Sequence, residues 1–128
     1  MMSSVLVIDD EEGIAAVIRE ALSLCGHDVQ SACDGSDGIR KFLNRRFDVV
    51  ITDIMMPNID GNGVVRFIRN SNWKTTPVIG MSGTPLLLSD SDFDKVLFKP
   101  FPLQTLINTV NALPSVARCE SGNLKACA

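Results

Sequence analysis

A chain of 128 residues, 45% hydrophobic and 21% charged, is long enough for one domain burying roughly two thirds of its unfolded surface, and this composition excludes a disordered protein. A formal net charge of −3 gives no overall attraction for nucleic acid or an anionic membrane. No apolar run approaches the roughly 18 residues that cross a bilayer and no basic-then-apolar leader opens the chain, so a cytoplasmic location is expected. None of the four cysteines has the CxxC spacing of a zinc or dithiol site. Cys25 and Cys33 are expected as small, buried or half-buried thiols, reduced like Cys119 and Cys127.

In chain order, residues 4–8 (Ser-Val-Leu-Val-Ile) form an apolar strand that runs into Asp9-Asp10-Glu11-Glu12. From 12 to 25, Ile14, Val17, Ile18, Ala21, Leu22 and Cys25 recur at three- and four-residue steps, an amphipathic helix that Gly26 caps. His27 reads as a surface turn residue without a role. Residues 28–33 are a weaker strand. Asp34-Gly35 then turns the chain into a helix over 36–45, with Ser36 or Asp37 as its cap and Ile39, Phe42 and Leu43 inward. Val49-Val50-Ile51 is a strand of the kind buried on both faces, and it stops at Asp53. Pro57 and Asp60-Gly61 follow, and Asp60 caps a helix to about Asn70 with Val64, Val65, Phe67 and Ile68 apolar. Residues 77–81 and 95–98 are two further strands, ending in Ser82-Gly83 and Lys99-Pro100. The stretch 85–92 between them has room for about two helical turns. Pro102 opens the last helix at its first position, with Leu103, Leu106, Ile107, Val110 and Leu113 inward, and Pro114 ends it. The domain is expected over 1–114, with a tail over 115–128.

Alternation of strand and helix predicts an α/β fold, a parallel sheet covered by helices on both faces. Parallel strands gather their carboxyl ends along one rim, where open α/β sheets bind ligands. That rim receives Asp9, Asp10, Asp53, Ser82 and Lys99. Three converging carboxylates repel one another and raise one another's pKa. A hard divalent cation such as magnesium relieves the repulsion through oxygen ligands. A carboxylate beside such a cation can attack phosphorus to give an acyl phosphate, with a lysine and a hydroxyl supporting the phosphoryl oxygens.

Four pieces, Val5-Leu-Val-Ile-Asp9-Asp10-Glu11, Asp53-Ile-Met-Met-Pro57 with Asp60-Gly61, Met81-Ser82-Gly83 and Phe98-Lys99-Pro100-Phe101, stand in the order of one known family. Over about residues 4–113 the sequence resembles the receiver domain of two-component response regulators. The resemblance implies a flavodoxin-like, doubly wound five-stranded sheet of order 2-1-3-4-5. It implies Asp53 as phosphoacceptor, Asp9, Asp10, Asp53 and the Met55 carbonyl as ligands of Mg2+ (with Mn2+ or Ca2+ as substitutes), Ser82 as hydroxyl switch and Lys99 as phosphate sensor. It also implies a cis Lys99-Pro100 bond. The implied donor is a sensor histidine kinase or a histidine phosphotransfer protein, and the implied output a protein target. That target, or a second copy, would meet the face made by the fourth helix, fifth strand and fifth helix. Such a domain promotes only its own phosphorylation and dephosphorylation and is not an enzyme with a separate substrate.

Two features depart from that pattern. The switch aromatic that receivers carry three residues before the strand-five lysine is Val96 here, and a β-branched side chain has too few rotamers to replace it. The fourth helix, over 85–92, is expected to be short or irregular. A receiver-like interaction domain independent of phosphorylation is therefore the alternative. A phosphatase of the haloacid dehalogenase type is disfavoured, because Met55 stands where its general acid would be. With no output domain after Leu113, the chain is expected to act through binding, alone or as part of a longer polypeptide.

Overall fold

A side chain in a β-strand points to the opposite face from its neighbour, and in this chain that alternation divides the core in two. The computed structural model describes residues 2–83 and 92–113. Along them run β1 (Ser4–Ile8), α1 (Glu12–Leu24), β2 (Asp28–Ala32), α2 (Gly35–Asn44), β3 (Val49–Asp53), α3 (Gly61–Arg69), β4 (Val78–Ser82), β5 (Lys95–Phe98) and α4 (Leu103–Ala112). The five strands are parallel in the order β2-β1-β3-β4-β5, as the resemblance implies. Val5 and Val7, Val49 and Ile51, Ile79 and Met81 face α1 and α4, where Ile18, Leu22, Leu106 and Val110 close one core. Leu6 and Ile8, Val50 and Val78 face the other way, onto Phe42 of α2 and Val64, Val65 and Ile68 of α3. Every residue of β3 and β4 is buried, which is why they read as unbroken apolar runs.

Several local expectations are met. Asp60 Oδ1 accepts from Gly63 N at 2.8 Å and starts α3, and Gly26 takes φ +93° after α1. Others are corrected. α2 begins at Gly35, and its cap is Asp34, whose Oδ1 accepts from Asp37 N at 2.8 Å, rather than Ser36 or Asp37. Pro102 sits in extended backbone at the N-cap, one residue before the helix proper. β2 stops at Ala32, and β4 runs one residue later than expected. Val17, Cys25 and Leu43 are exposed because each helix's apolar pattern is wider than the sheet strip beneath it, and Cys33, just past the end of β2, is exposed as well. His27 is not a surface residue but is buried. Its Nδ1 accepts from Ser3 N at 3.0 Å, which leaves Nε2 as the donor to Asn111 Oδ1 at 2.9 Å. The short helix expected over 85–92 lies almost entirely outside the described residues, and the tail over 115–128 lies wholly outside them.

Candidate functional site

The strand register decides which carboxyl ends meet. β1 and β3 pair Ile8 with Thr52, so the next residues, Asp9 and Asp53, stand side by side. β3 and β4 pair Asp53 with Met81, and β4 and β5 pair Ser82 with Phe98, which delivers Lys99 to the same rim. Lys99 N donates to Ser82 O at 2.8 Å, and the Lys99-Pro100 peptide that follows is cis, as expected.

One carboxylate oxygen each from Asp9, Asp10 and Asp53 lies within 4.8 Å of the others. Asp53 is 6% exposed and Asp9 is fully buried, while Asp10 is exposed. Asp53 Oδ1 accepts from Ile54 N at 3.0 Å and from Lys99 Nζ at 3.2 Å. Asp9 Oδ1 accepts from Glu11 N at 2.9 Å, whereas its Oδ2 is buried without a hydrogen-bond partner among the described residues. Burial raises the pKa of Asp9 to about 6. The Glu11 amide pulls it down, and the charge of Asp53 pushes it further up. Asp53 is raised too, first by burial, with the Lys99 ammonium opposing. A carboxylate with an orphaned buried oxygen, clustered with two more carboxylates, suits a hard cation with oxygen ligands. The donor set therefore fits magnesium.

The floor of the site is set by glycine. Gly61 N donates to Ile54 O at 2.9 Å, and a Cβ on Gly61 would stand 2.6 Å from Asp53 O and 2.7 Å from Ile54 Cα. Only glycine lets α3 start this close behind the strand. Asn58, with φ 66°, makes the left-handed step that returns the chain to α3, a conformation asparagine tolerates. A cavity of about 420 Å3 above this floor is lined by Asp10, Glu11, Asp53, Met55, Met56, Pro57, Gly83 and Lys99.

Asp9, Asp10, Asp53 and Lys99 thus converge as the sequence suggests. Met55 is 64% exposed on the cavity wall, and Met56 is packed in the core. Ser82 is 2% exposed and does not line the cavity; the open position is Gly83, where an added Cβ would meet nothing within 4 Å. Sequence reasoning missed Glu11, which lines the cavity and orients Asp9 through its amide. Its position as the N-cap of α1 was the available signal.

The sequence profile of the response regulator receiver domain family matches residues 5–111. The response regulator ArlR of Staphylococcus saprophyticus is 32% identical over 117 residues, which are 88% of this chain and 52% of that protein. The CAI-1 autoinducer sensor kinase/phosphatase CqsS of Vibrio cholerae is 34% identical over 84% of this chain and 17% of its own length. The chain thus spans about half, or less, of the curated relatives it matches. Among solved structures, the response regulator TrrA of Thermotoga maritima, in complex with Mg2+ and BeF, has a TM-score of 0.80 at 31% identity, covering 88% of this chain and all of that one. A receiver domain protein from Clostridium thermocellum gives a TM-score of 0.80 at 30% identity, covering 92% and 97%.

Proposed function

The chain belongs to the response regulator receiver domain family, and from that membership we propose that it accepts a phosphoryl group on Asp53 within a phosphorelay. The Asp53 carboxylate attacks the phosphorus of a phosphohistidine. The new O–P bond forms as the N–P bond breaks, and the electron pair stays with the imidazole nitrogen, which takes up a proton. Ile54 N and Lys99 Nζ hold the attacking carboxylate, and the Lys99 ammonium then balances charge on the phosphoryl oxygens. Asp9, Asp10, Asp53 and the Met55 carbonyl would hold Mg2+, or Mn2+ or Ca2+ in its place. When bound, the cation screens the carboxylates and neutralises phosphoryl charge. Ser82, buried at the end of β4, supplies its hydroxyl to the phosphoryl group only by turning toward the cavity that Gly83 and Lys99 line. Water then attacks the phosphorus of the acyl phosphate, the Asp53 O–P bond breaks and inorganic phosphate leaves, restoring the carboxylate, so the chain modifies itself and turns over no separate substrate.

The donor in this reading is a cytoplasmic sensor histidine kinase or histidine phosphotransfer protein. The phosphorylated state changes which protein, or second copy of the chain, binds the face carried by β5 and α4. Membership of the same family as ArlR, the likeness to TrrA with Mg2+ and BeF, and the acidic cluster support it. The single observation that carries it is the 3.2 Å contact of Lys99 with Asp53 beside two more carboxylates. The test is intact-mass spectrometry after incubation with a small phosphodonor and magnesium. Wild type should gain one phosphoryl group, and Asp53→Asn none. Wild type that gains none supports a phosphate-independent interaction domain instead.

A further inference from the structure

β2 is one of the two outer strands of the sheet. An unpaired strand edge displays main-chain donors and acceptors that recruit another strand, so proteins that must not associate cover it. In the pairing with β1, Asp28 N donates to Ser3 O at 2.9 Å and Ala32 O accepts from Asp9 N at 3.1 Å. Successive residues alternate in direction, so Val29, Ser31 and Cys33 turn their main-chain groups outward.

Two of those outward groups are taken by side chains of α2. Lys41 Nζ donates to Ser31 O at 2.5 Å, and Cys33 N donates to Asp37 Oδ2 at 3.2 Å. The two side chains also pair with each other at 3.5 Å, one helical turn apart. Alongside lies a cavity of about 320 Å3, bounded by these residues and by Glu12 and Arg19 of α1. A strand added to β2 would run about 4.8 Å away, in space that Lys41 and Asp37 now cross. Helix capping alone does not account for the arrangement, since Asp34 already caps α2. A helical ion pair, for its part, needs no strand carbonyl.

We propose that Lys41 and Asp37 form a side-chain gate that closes the β2 edge and keeps the β2 of a second copy from pairing with it. A second copy is the strand the gate excludes because antiparallel pairing of two identical edges is self-complementary, each copy offering the groups the other needs. The gate is independent of the phosphoacceptor reading.

Lys41→Met removes the ammonium and keeps most of the stem. Sedimentation over a concentration series, with amide exchange on the same samples, tests the proposal. For Lys41→Met the weight-average mass should rise above wild type, towards double, while the Val29 and Ser31 amides, which no side chain of α2 holds in wild type, gain protection. Asp37→Ala, which frees Cys33 N, should do the same, and Lys41→Arg should behave as wild type. If both opening variants keep the wild-type mass, or associate without protecting those amides, the gate is overturned. Wild type already protected at those amides overturns it equally.

Discussion

At the amino end of the sheet, Asp48 Oδ2 accepts from Ser4 N at 2.8 Å, Asp28 pairs with Arg45 at 2.9 Å, and Asp94 Oδ2 accepts from both Val78 N and Arg69 at 2.7 Å. At the carboxyl end, among the described residues, Asp9 keeps a buried oxygen without a hydrogen-bond partner, Asp10 is exposed, and Lys99 is bonded to Asp53. The chemistry of parallel strands explains part of the contrast. Their amino ends present N–H groups that a carboxylate can accept from, as Asp48 and Asp94 do. Their carboxyl ends present carbonyls, so Asp9 and Asp53 find main-chain donors only in the residues that follow the strands, Glu11 and Ile54, one for each carboxylate. Aspartates at the amino end therefore tie the sheet together, while those at the carboxyl end hold a repulsion that a cation or a phosphoryl group can use. Electrostatic cost is concentrated where binding can relieve it.

Three substitutions would break or sharpen that contrast. The largest effect is expected at the floor of the acidic end. Gly61→Ala drives a methyl into the Asp53 carbonyl and the Ile54 backbone, neither of which can swing aside, and should cost about 3 kcal/mol in urea unfolding. Next comes the amino end, where Asp94→Ala leaves both Val78 N and Arg69 without their shared acceptor and should cost about 2 kcal/mol, with or without magnesium.

The smallest effect has the opposite sign. Asp9→Asn keeps an oxygen for Glu11 N and removes a buried charge, so in divalent-free buffer at pH 7 it should stabilise the fold by about 1–2 kcal/mol. The sign follows from a pKa raised on folding from 3.8 to about 6. The folded wild type then binds the Asp9 proton more tightly than the unfolded chain, and its stability falls as pH rises from about 4 through about 6. The gain from Asp9→Asn should vanish below about pH 4, and magnesium should stabilise the variant less than wild type. Unfolding midpoints across that pH range, with and without magnesium, check all three statements.

Much of the fold and of the acidic end is legible in the amino-acid sequence. Apolar runs ending in acid or in Ser82-Gly83 marked the strands, because strands buried on both faces tolerate little else. Less of the helix surfaces could be read. A three-four period places Val17 and Cys25 on the inner stripe of α1, but the sheet and α4 cover a narrower strip. His27 is buried by a partner 84 residues away, Asn111, and no local pattern announces it.

The amino-acid order by itself determined which groups are available, namely the aspartates after β1 and β3, the lysine after β5, and a glycine where α3 must start close. It also determined the alternation that makes the sheet parallel. Tertiary structure alone decided the reach and the charge state. Strand register put Asp9 beside Asp53 and brought Lys99, 46 residues further on, to 3.2 Å. Burial then lifted the Asp9 carboxyl to about 6. Both depend on what packs around a side chain, and distant segments bring that packing only once the sheet has formed.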